Sequence, residues 1–413
     1  MARSPASPLM PVTEALSRLL AAAAPLPGET VPLIEAHGRV TSAPVIARRT
    51  SPGADVSAMD GYAVRASDVA RVPATLDLIG ESAAGGPFAG EVAPGTTVRI
   101  FTGAVMPTGA DAVVIQEDTT REGTRITMTE AATAGRHIRR AGGDFAAGQT
   151  VVPAGKRLTA RDLALIAAAD IADVEVHRRP RVGLISTGDE LVRPGTGADA
   201  HQVIVSNLYA LTPLIRCAGG EAEDLGILPD DMAATTAGMR AALDGGFDVL
   251  VTTGGASVGD HDLVAPALMA EGVTLAVHKI ALRPGKPLMF GKSAGEPTTL
   301  VLGLPGNPVS AHVCAVLFLL PLLRALQGEQ VAPEVPLQPA ELGVDLKAND
   351  HRMDFMRAEF VGRGAGGPIV RPLPVQDSSM LSVLARADAL LVRAPNAPAA
   401  KAGEPCAIVP LDD

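Results

Sequence analysis

Between residues 178 and 327 two kinds of segment alternate. Continuous apolar runs (VGLIS, FDVLVTT, TTLVLGL) are separated by helical stretches at 207–219 and 232–244. A strand that is apolar on both faces must be covered on both, as in parallel sheets flanked by helices. An α/β domain with a mostly parallel sheet is therefore expected over 178–328. Each apolar run leads into a Gly- or Pro-rich loop with polar groups: STGDEL (186–191), TTGGASVGDHD (252–262) and LPGNPVSA (304–311). A helix should begin with Asn307 as N-cap and Pro308 in its first turn, and stop before Gly328. Ligands of open parallel sheets bind beyond the strand C-termini. Glycine lets backbone N–H groups approach a phosphate, and a helix N-terminus favours an anion. Three such loops on successive strands point to a phosphorylated, nucleotide-like ligand.

The same loops carry carboxylates: Asp189, Glu190, Asp260 and Asp262, with Asp230 or Asp231 from LPDD. Acids beside a phosphate imply a divalent cation between them, since bare like charges repel. The competing role is helix capping, for which Asp260 is the leading candidate. LRPGKP (282–287), with Lys279, places three cations within eight residues around a rigid Pro-Gly turn. That suits a small oxyanion, which needs several donors at fixed distances; the alternative is a solvated turn. Gly291-Lys292-Ser293 is not a phosphate loop, because Lys286 stands where the first glycine would be needed. HExxH is absent from the sequence, and His261 and His312 lack a second ligand at metal spacing.

A chain of 413 residues exceeds one compact core, so two to four domains are expected. Residues 12–24 should form an amphipathic helix with Val12, Leu16, Leu19 and Leu20 on one face. Residues 30–48 read as strand-turn-strand or strand-helix. Residues 50–140 are Gly-, Pro- and Thr-rich with short alternating runs, a β-rich pattern that carries SAMDGYAV with Asp60, FTGAVMP with Thr102, and HIRRAGGD with Arg139 and Arg140 near Asp144. A helix is expected over 158–172, capped by Thr159, with Leu163, Ile166 and Ala167 on one face. A linker at 329–338 precedes a small β-barrel or sandwich over 340–413. The net charge of −10 and the 2% aromatic content, without Trp, argue against a nucleic-acid partner. Cys217, Cys314 and Cys406 form no disulfide or zinc pattern and read as buried small apolar residues. No membrane association is expected: the run at 313–323 is about half the length of a spanning segment.

In order along the chain, SAMDGYAV, RIFTGAVMPTGADAVV, STGDEL, TTGGASVGDHD, RPGKP and LPGNPVSA resemble the motifs of the molybdopterin molybdenumtransferase family, which includes the E-domain of gephyrin. The resemblance runs from about 12 to 410 and takes in HRMDFMRAEF (351–360) and SSMLSVLARAD (378–388). It implies four domains: a connecting helical and β domain (8–48 with 141–177), a β-rich domain (49–140), an α/β domain similar to molybdopterin adenylyltransferases (178–328), and a C-terminal β-barrel (329–413). It implies a cytoplasmic, homodimeric transferase that inserts molybdate into adenylylated molybdopterin and releases AMP, the last step of molybdenum-cofactor synthesis. Molybdopterin adenylyltransferase and acceptor molybdoenzymes are its implied protein partners.

By this resemblance, adenylylated molybdopterin lies over Ser186, Thr187, Gly188, Gly254, Gly255, Ser257, Gly259, Lys279, Pro305, Gly306, Asn307 and Pro308. Mg²⁺ is held by Glu190 and Asp262. Molybdate is held by Arg283, Lys286, Ser310, Arg352 and Ser378. Asp60, Thr102, Asp144, Glu190, Asp230 and Asp262 serve catalysis, with Asp60 and Thr102 reaching across the dimer. Departures from the family pattern are Val56, Gly143, Arg283 and Asp377; the last puts an acid beside the proposed oxyanion serine. Two other readings are an adenylyltransferase acting on ATP and molybdopterin, and a scaffold that binds pterin without releasing AMP.

Overall fold

The computed structural model describes residues 9–254 and 263–411. The chain forms two compact units: Thr30–Val176, and the residues before Thr30 together with those from His177 onward.

Within Thr30–Val176 a six-stranded sheet runs in the order Ala112–Ile115, Gly61–Val64, Thr96–Ile100, Ala74–Ser82, Arg125–Met128, Thr119–Glu122. Only Ala74–Ser82 and Thr96–Ile100 pair parallel. Alternation along Gly61–Val64 sends Tyr62 and Val64 into a cluster with Leu76, Ile126 and Met128, while Ala63 enters another with Val98 and Ile100. A third core gathers Val45, Phe145, Leu158, Ile166 and Val176 around the helix Ala160–Ala168. Thr159 caps this helix in a reciprocal box with Asp162. The helix is shorter than the 158–172 expected; of its expected face, Ile166 is buried and Leu163 half-buried against that core. Ala167 is exposed, whereas Asp162 is buried because its carboxylate takes two donors from Thr159 and one from Lys156.

In the second unit a six-stranded sheet has the order Glu221–Leu228, Arg181–Thr187, Val249–Thr253, Leu300–Leu304, Pro287–Lys292, Thr274–Lys279. The first four strands are parallel; the last two join as antiparallel neighbours. Helices Asn207–Cys217 and Met232–Asp244 fall where the sequence placed them. Helical structure continues from Pro308 to Leu326, with a π turn at Ala315–Leu319. This 19-residue helix, of mean hydropathy 2.0, is longer than its apolar run suggested and matches a membrane span in length and composition. Yet 72% of it is buried, as a core helix should be. Its Leu319, Leu322 and Leu323 share one cluster with Val251, Leu302 and Phe355.

The amphipathic helix at the N-terminus spans Val12–Ala21 and buries Val12, Ala15, Leu16 and Leu19 in that same cluster. The apolar stripe of this helix thus packs on the 308–326 helix of the α/β layer. The last strands, Met353–Gly364, Gly367–Pro372, Gln338–Leu342, Pro405–Pro410 and Ala389–Arg393, close into a five-stranded barrel when the final strand pairs back with the first. Cys314 is buried, Cys406 half-buried and Cys217 exposed, so the expectation of three buried thiols holds fully only for Cys314.

Candidate active site

Three loops meet at the C-terminal edge of the parallel strands. Strands Arg181–Thr187, Val249–Thr253 and Leu300–Leu304 are adjacent, so Thr187, Gly254 and Pro305 emerge side by side. Behind them Ser186 and Thr253 share a hydroxyl hydrogen bond of 3.1 Å. Gly254 has φ +89°, and a Cβ there would lie 2.7 Å from the Thr187 carbonyl oxygen, so only glycine lets these loops approach. Asn207 Nδ2 donates to the Gly306 carbonyl at 2.9 Å, which ties the third loop to the first turn of the neighbouring helix.

The cleft they floor holds about 870 Å³. Thr187, Glu190, Gly254, Pro305, Gly306, Asn307, Pro308 and Ser310 line it, and Leu191, Val203, Ile204, Pro287 and Leu381 add apolar surface. This size and mixture suit a ligand with a flat heterocycle and a charged tail.

The carboxylates separate by role. Asp231 caps the helix Met232–Asp244, accepting Ala234 N–H at 2.8 Å. Asp189 accepts Asp230 N–H at 3.0 Å, which fixes the LPDD turn. Asp230 itself is exposed and outside the cleft lining. Glu190 is exposed, folds back over Gly188, and has no hydrogen-bond or ion-pair partner for its carboxylate among the described residues. Gly255, Ser257, Gly259, Asp260, His261 and Asp262 lie outside the described residues, and among those described no three His, Cys, Asp or Glu side chains gather as a metal cage. A single uncommitted oxygen ligand fits Mg²⁺, which is commonly held by one or two carboxylates and by substrate phosphates.

LRPGKP links the two antiparallel strands of the sheet. Gly285 has φ +114°, and a Cβ there would meet Cys314 Sγ at 2.5 Å, so the turn is wedged against the 308–326 helix. Leu282–Arg283 pairs in parallel with Met353–Asp354, which brings the α/β loop onto the barrel. There Arg283 is committed: it donates to Asp350 at 2.9 Å, to Asn349 at 3.0 Å and to Asp354 at 2.5 Å. Arg352 reaches the same Asp350 oxygen at 3.4 Å. Lys286 is exposed, has no carboxylate partner among the described residues, and adjoins Pro287 in the cleft wall. Lys279 is exposed but does not line the cleft.

Ser378 docks on the start of the 308–326 helix. Its Oγ lies 3.1 Å from Asn307 Nδ2 and its carbonyl accepts Val309 N–H at 3.1 Å. Asn307 therefore stands at the N-cap position but spends its side chain on Ser378. The acid next to it turns away: Asp377 Oδ1 accepts the Ser379 hydroxyl and N–H, which hold its carboxyl below the usual range. The buried Arg357 donates to the Asp377 carbonyl and anchors this loop.

In the Thr30–Val176 unit, Asp60 Oδ1 accepts both the hydroxyl and the N–H of Thr102 at 2.7 Å, and these bonds keep Asp60 ionised below its ordinary range. Arg99 lies between the Tyr62 and Phe101 rings, 5.1 and 4.8 Å from their centroids, and donates to the Gly61 carbonyl. Arg140 pairs with Asp55 at 2.5 Å, while the exposed Asp144 donates its N–H to the Ser51 carbonyl.

Comparison with known proteins agrees with this geometry. Residues 10–169 match the MoeA N-terminal region (domain I and II), 183–325 a probable molybdopterin binding domain, and 339–411 the MoeA C-terminal region (domain IV). Molybdopterin molybdenumtransferase of Haemophilus influenzae is 36% identical over 94% of this chain and 95% of its own. The chain belongs to the molybdopterin molybdenumtransferase family. Molybdopterin molybdenumtransferase 2 of Mycobacterium tuberculosis is 38% identical over 80% of this chain and 82% of its own. The crystal structure of the molybdopterin biosynthesis moeA protein from Pyrococcus horikoshii superposes with a TM-score of 0.83 at 29% identity, covering 97% of this chain and 99% of that one.

Members of this transferase family serve molybdenum-cofactor biosynthesis. Against the family motifs, the structure brings Thr187, Glu190, Gly254, Pro305, Gly306, Asn307, Pro308 and Ser310 into one cleft, and joins Asp60 to Thr102. Ser186 lies beneath the cleft floor, and Gly188 backs Glu190. Sequence reasoning missed Asn207, Asp350, Asp354, Arg357 and the Val203–Ile204 wall. The acids could have been noticed, since Asp350 and Asp354 flank Arg352 two residues away on either side.

Proposed function

We propose that this protein inserts molybdate into adenylylated molybdopterin and releases AMP, completing the molybdenum cofactor as a cytoplasmic homodimer. The observation that carries this reading is the adjacency of two chemically distinct places. A loop-floored cleft fits a phosphorylated pterin, and a cationic corner beside it fits an oxyanion. In the first, the apolar surface stacks the heterocycle while glycine-bearing loops present backbone donors to the phosphates. In the second, Lys286, Ser310, Arg283, Arg352 and Ser378 would surround molybdate, and Lys286 has no carboxylate partner among the described residues.

In the reaction water cleaves the phosphoanhydride and AMP leaves, while the two dithiolene sulfurs bind molybdenum in place of an oxo ligand, which departs as water with the two thiol protons. This chain contributes mostly orientation and charge neutralisation, and pre-organised charge is where enzymes gain most of their rate. Glu190 and Asp262 would hold Mg²⁺, which supplies positive charge beside the anhydride oxygens. Asp60 offers a fixed carboxylate: Thr102 occupies Oδ1 and leaves Oδ2 for a substrate proton or water.

We propose further that the partner subunit supplies the Asp60–Thr102 pair to each site. Mixing Asp60→Ala with Glu190→Ala subunits should then restore activity, and no recovery would exclude a shared site. The activity itself is tested by incubating the protein with adenylylated molybdopterin, Mg²⁺ and molybdate. AMP should form only with all three present; AMP consumption or ATP dependence would overturn the reading.

A further inference from the structure

Two carboxylates contact Arg283, and they differ in kind. Asp354 is the register partner of Arg283 in the parallel pairing, its side chain is 13% exposed, and it lies 2.5 Å from the guanidinium. It is an anchor that the backbone itself holds in place. Asp350 is 38% exposed and sits on a turn: its Oδ1 accepts Arg352 N–H at 2.9 Å and its carbonyl accepts Asn396 N–H at 2.6 Å. The remaining oxygen, Oδ2, lies between the two arginines, 2.9 Å from Arg283 and 3.4 Å from Arg352. One carboxylate oxygen shared by two guanidiniums is the arrangement that an oxygen of a tetrahedral oxyanion would adopt. Arg352 also has donor capacity to spare, because its buried Nε has no hydrogen-bond partner.

We propose that Asp350 is a built-in competitor for the oxyanion: its Oδ2 holds the position between Arg283 and Arg352, and the bound oxyanion displaces it. The inference rests on the molybdate-transfer reading above. Displacement is feasible because pairs this exposed contribute little and exchange readily. Its consequence is selectivity. Two arginines with no counter-ion would bind any abundant oxyanion, sulfate and phosphate included. A resident carboxylate sets a threshold that only a well-fitted dianion passes, while Asp354 keeps Arg283 in place throughout.

The test is Asp350→Asn, which keeps shape and removes charge, with Asp350→Ser as a second variant in case the amide perturbs the turn. Molybdate binding to the purified protein is measured by calorimetry, with sulfate as competitor, beside the molybdate dependence of AMP release. Either variant should bind molybdate about three- to tenfold tighter, the scale of one or two exposed ion pairs. Sulfate should become an effective competitor, and Asp354→Asn should weaken binding instead. Unchanged or weaker molybdate binding in both Asp350 variants, with Arg352→Ala still weakening it, overturns the competitor role and leaves the subsite standing. If Arg283→Ala, Arg352→Ala and Lys286→Ala all leave molybdate binding unaltered, the oxyanion is bound elsewhere and the assignment of the corner falls with the inference.

Discussion

The cleft floor and the cationic corner are neighbours built by different means. The floor is made of backbone: Gly254 against Thr187, Gly306 tied by Asn207, and a helix that begins at Pro308. The corner is made of long side chains from three separate stretches, with Arg283 facing Asn349, Asp350 and Asp354, and Ser378 docked on Asn307. Backbone geometry leaves marks in a sequence, because glycine and proline are demanded at fixed places. Ion pairing leaves few, because any acid at the right distance will serve. The floor should therefore tolerate side-chain changes and resist backbone ones, whereas the corner should respond to single charges.

The largest expected effect separates function from folding among the acids. Glu190→Ala should lower AMP release at least about a hundredfold, the scale on which one pre-organised charge acts. Its melting temperature should stay at the wild-type value, since its carboxylate has no partner among the described residues. A marked fall in Tm would return Glu190 to a structural role.

Asp162 should do the reverse. Burial alone would raise its carboxyl, but Lys156 and Thr159 outweigh that and bring it down to about 2 from 3.8. A folded-state value below the unfolded one stabilises the fold above pH 4 and ceases to do so as pH falls towards 2. Asp162→Asn should therefore cost about 2 kcal/mol at neutral pH and nearly nothing at pH 2. Denaturant titrations at both values check this, and an equal loss at both would show that the charge is not the cause.

The smallest effect lies at the seam between floor and corner. Ser378→Ala removes one hydroxyl contact to Asn307 but keeps the carbonyl that accepts Val309 N–H. It should raise the molybdate KM by about three- to tenfold with kcat little changed, as befits one neutral hydrogen bond. A fall in kcat at an unchanged KM would move Ser378 from binding the oxyanion to the chemical step.

How much could be read beforehand follows the same division. Apolar runs gave the parallel strands, and their glycine-rich ends gave the loops, because burial and left-handed turns restrict residue choice locally. The closed barrel was legible only as a choice between barrel and sandwich, since closure depends on Ala389–Arg393 pairing back with Met353–Gly364. The docking of Val12–Ala21 on the 308–326 helix was invisible: an apolar stripe says that a helix is buried, not against what. Arg283 looked like a free cation because its counter-ions, Asp350 and Asp354, lie 67 and 71 residues away. Asp377 looked obstructive until its carboxylate proved to be turned onto Ser379.

The division between floor and corner is tested most directly with Lys286→Ala, measured in two ways on one preparation. Lys286 is exposed, lacks a protein counter-ion among the described residues and adjoins the cleft at Pro287. A charged hydrogen bond contributes about 1.5–3 kcal/mol, so the molybdate requirement for AMP release should rise by roughly one to two orders of magnitude. The affinity for adenylylated molybdopterin, measured separately without molybdate, should change less than about threefold if its phosphates rest on the backbone loops. Collapse of pterin binding with an unchanged molybdate response would contradict the account, for Lys286 would then serve the phosphates and the oxyanion corner would lie elsewhere.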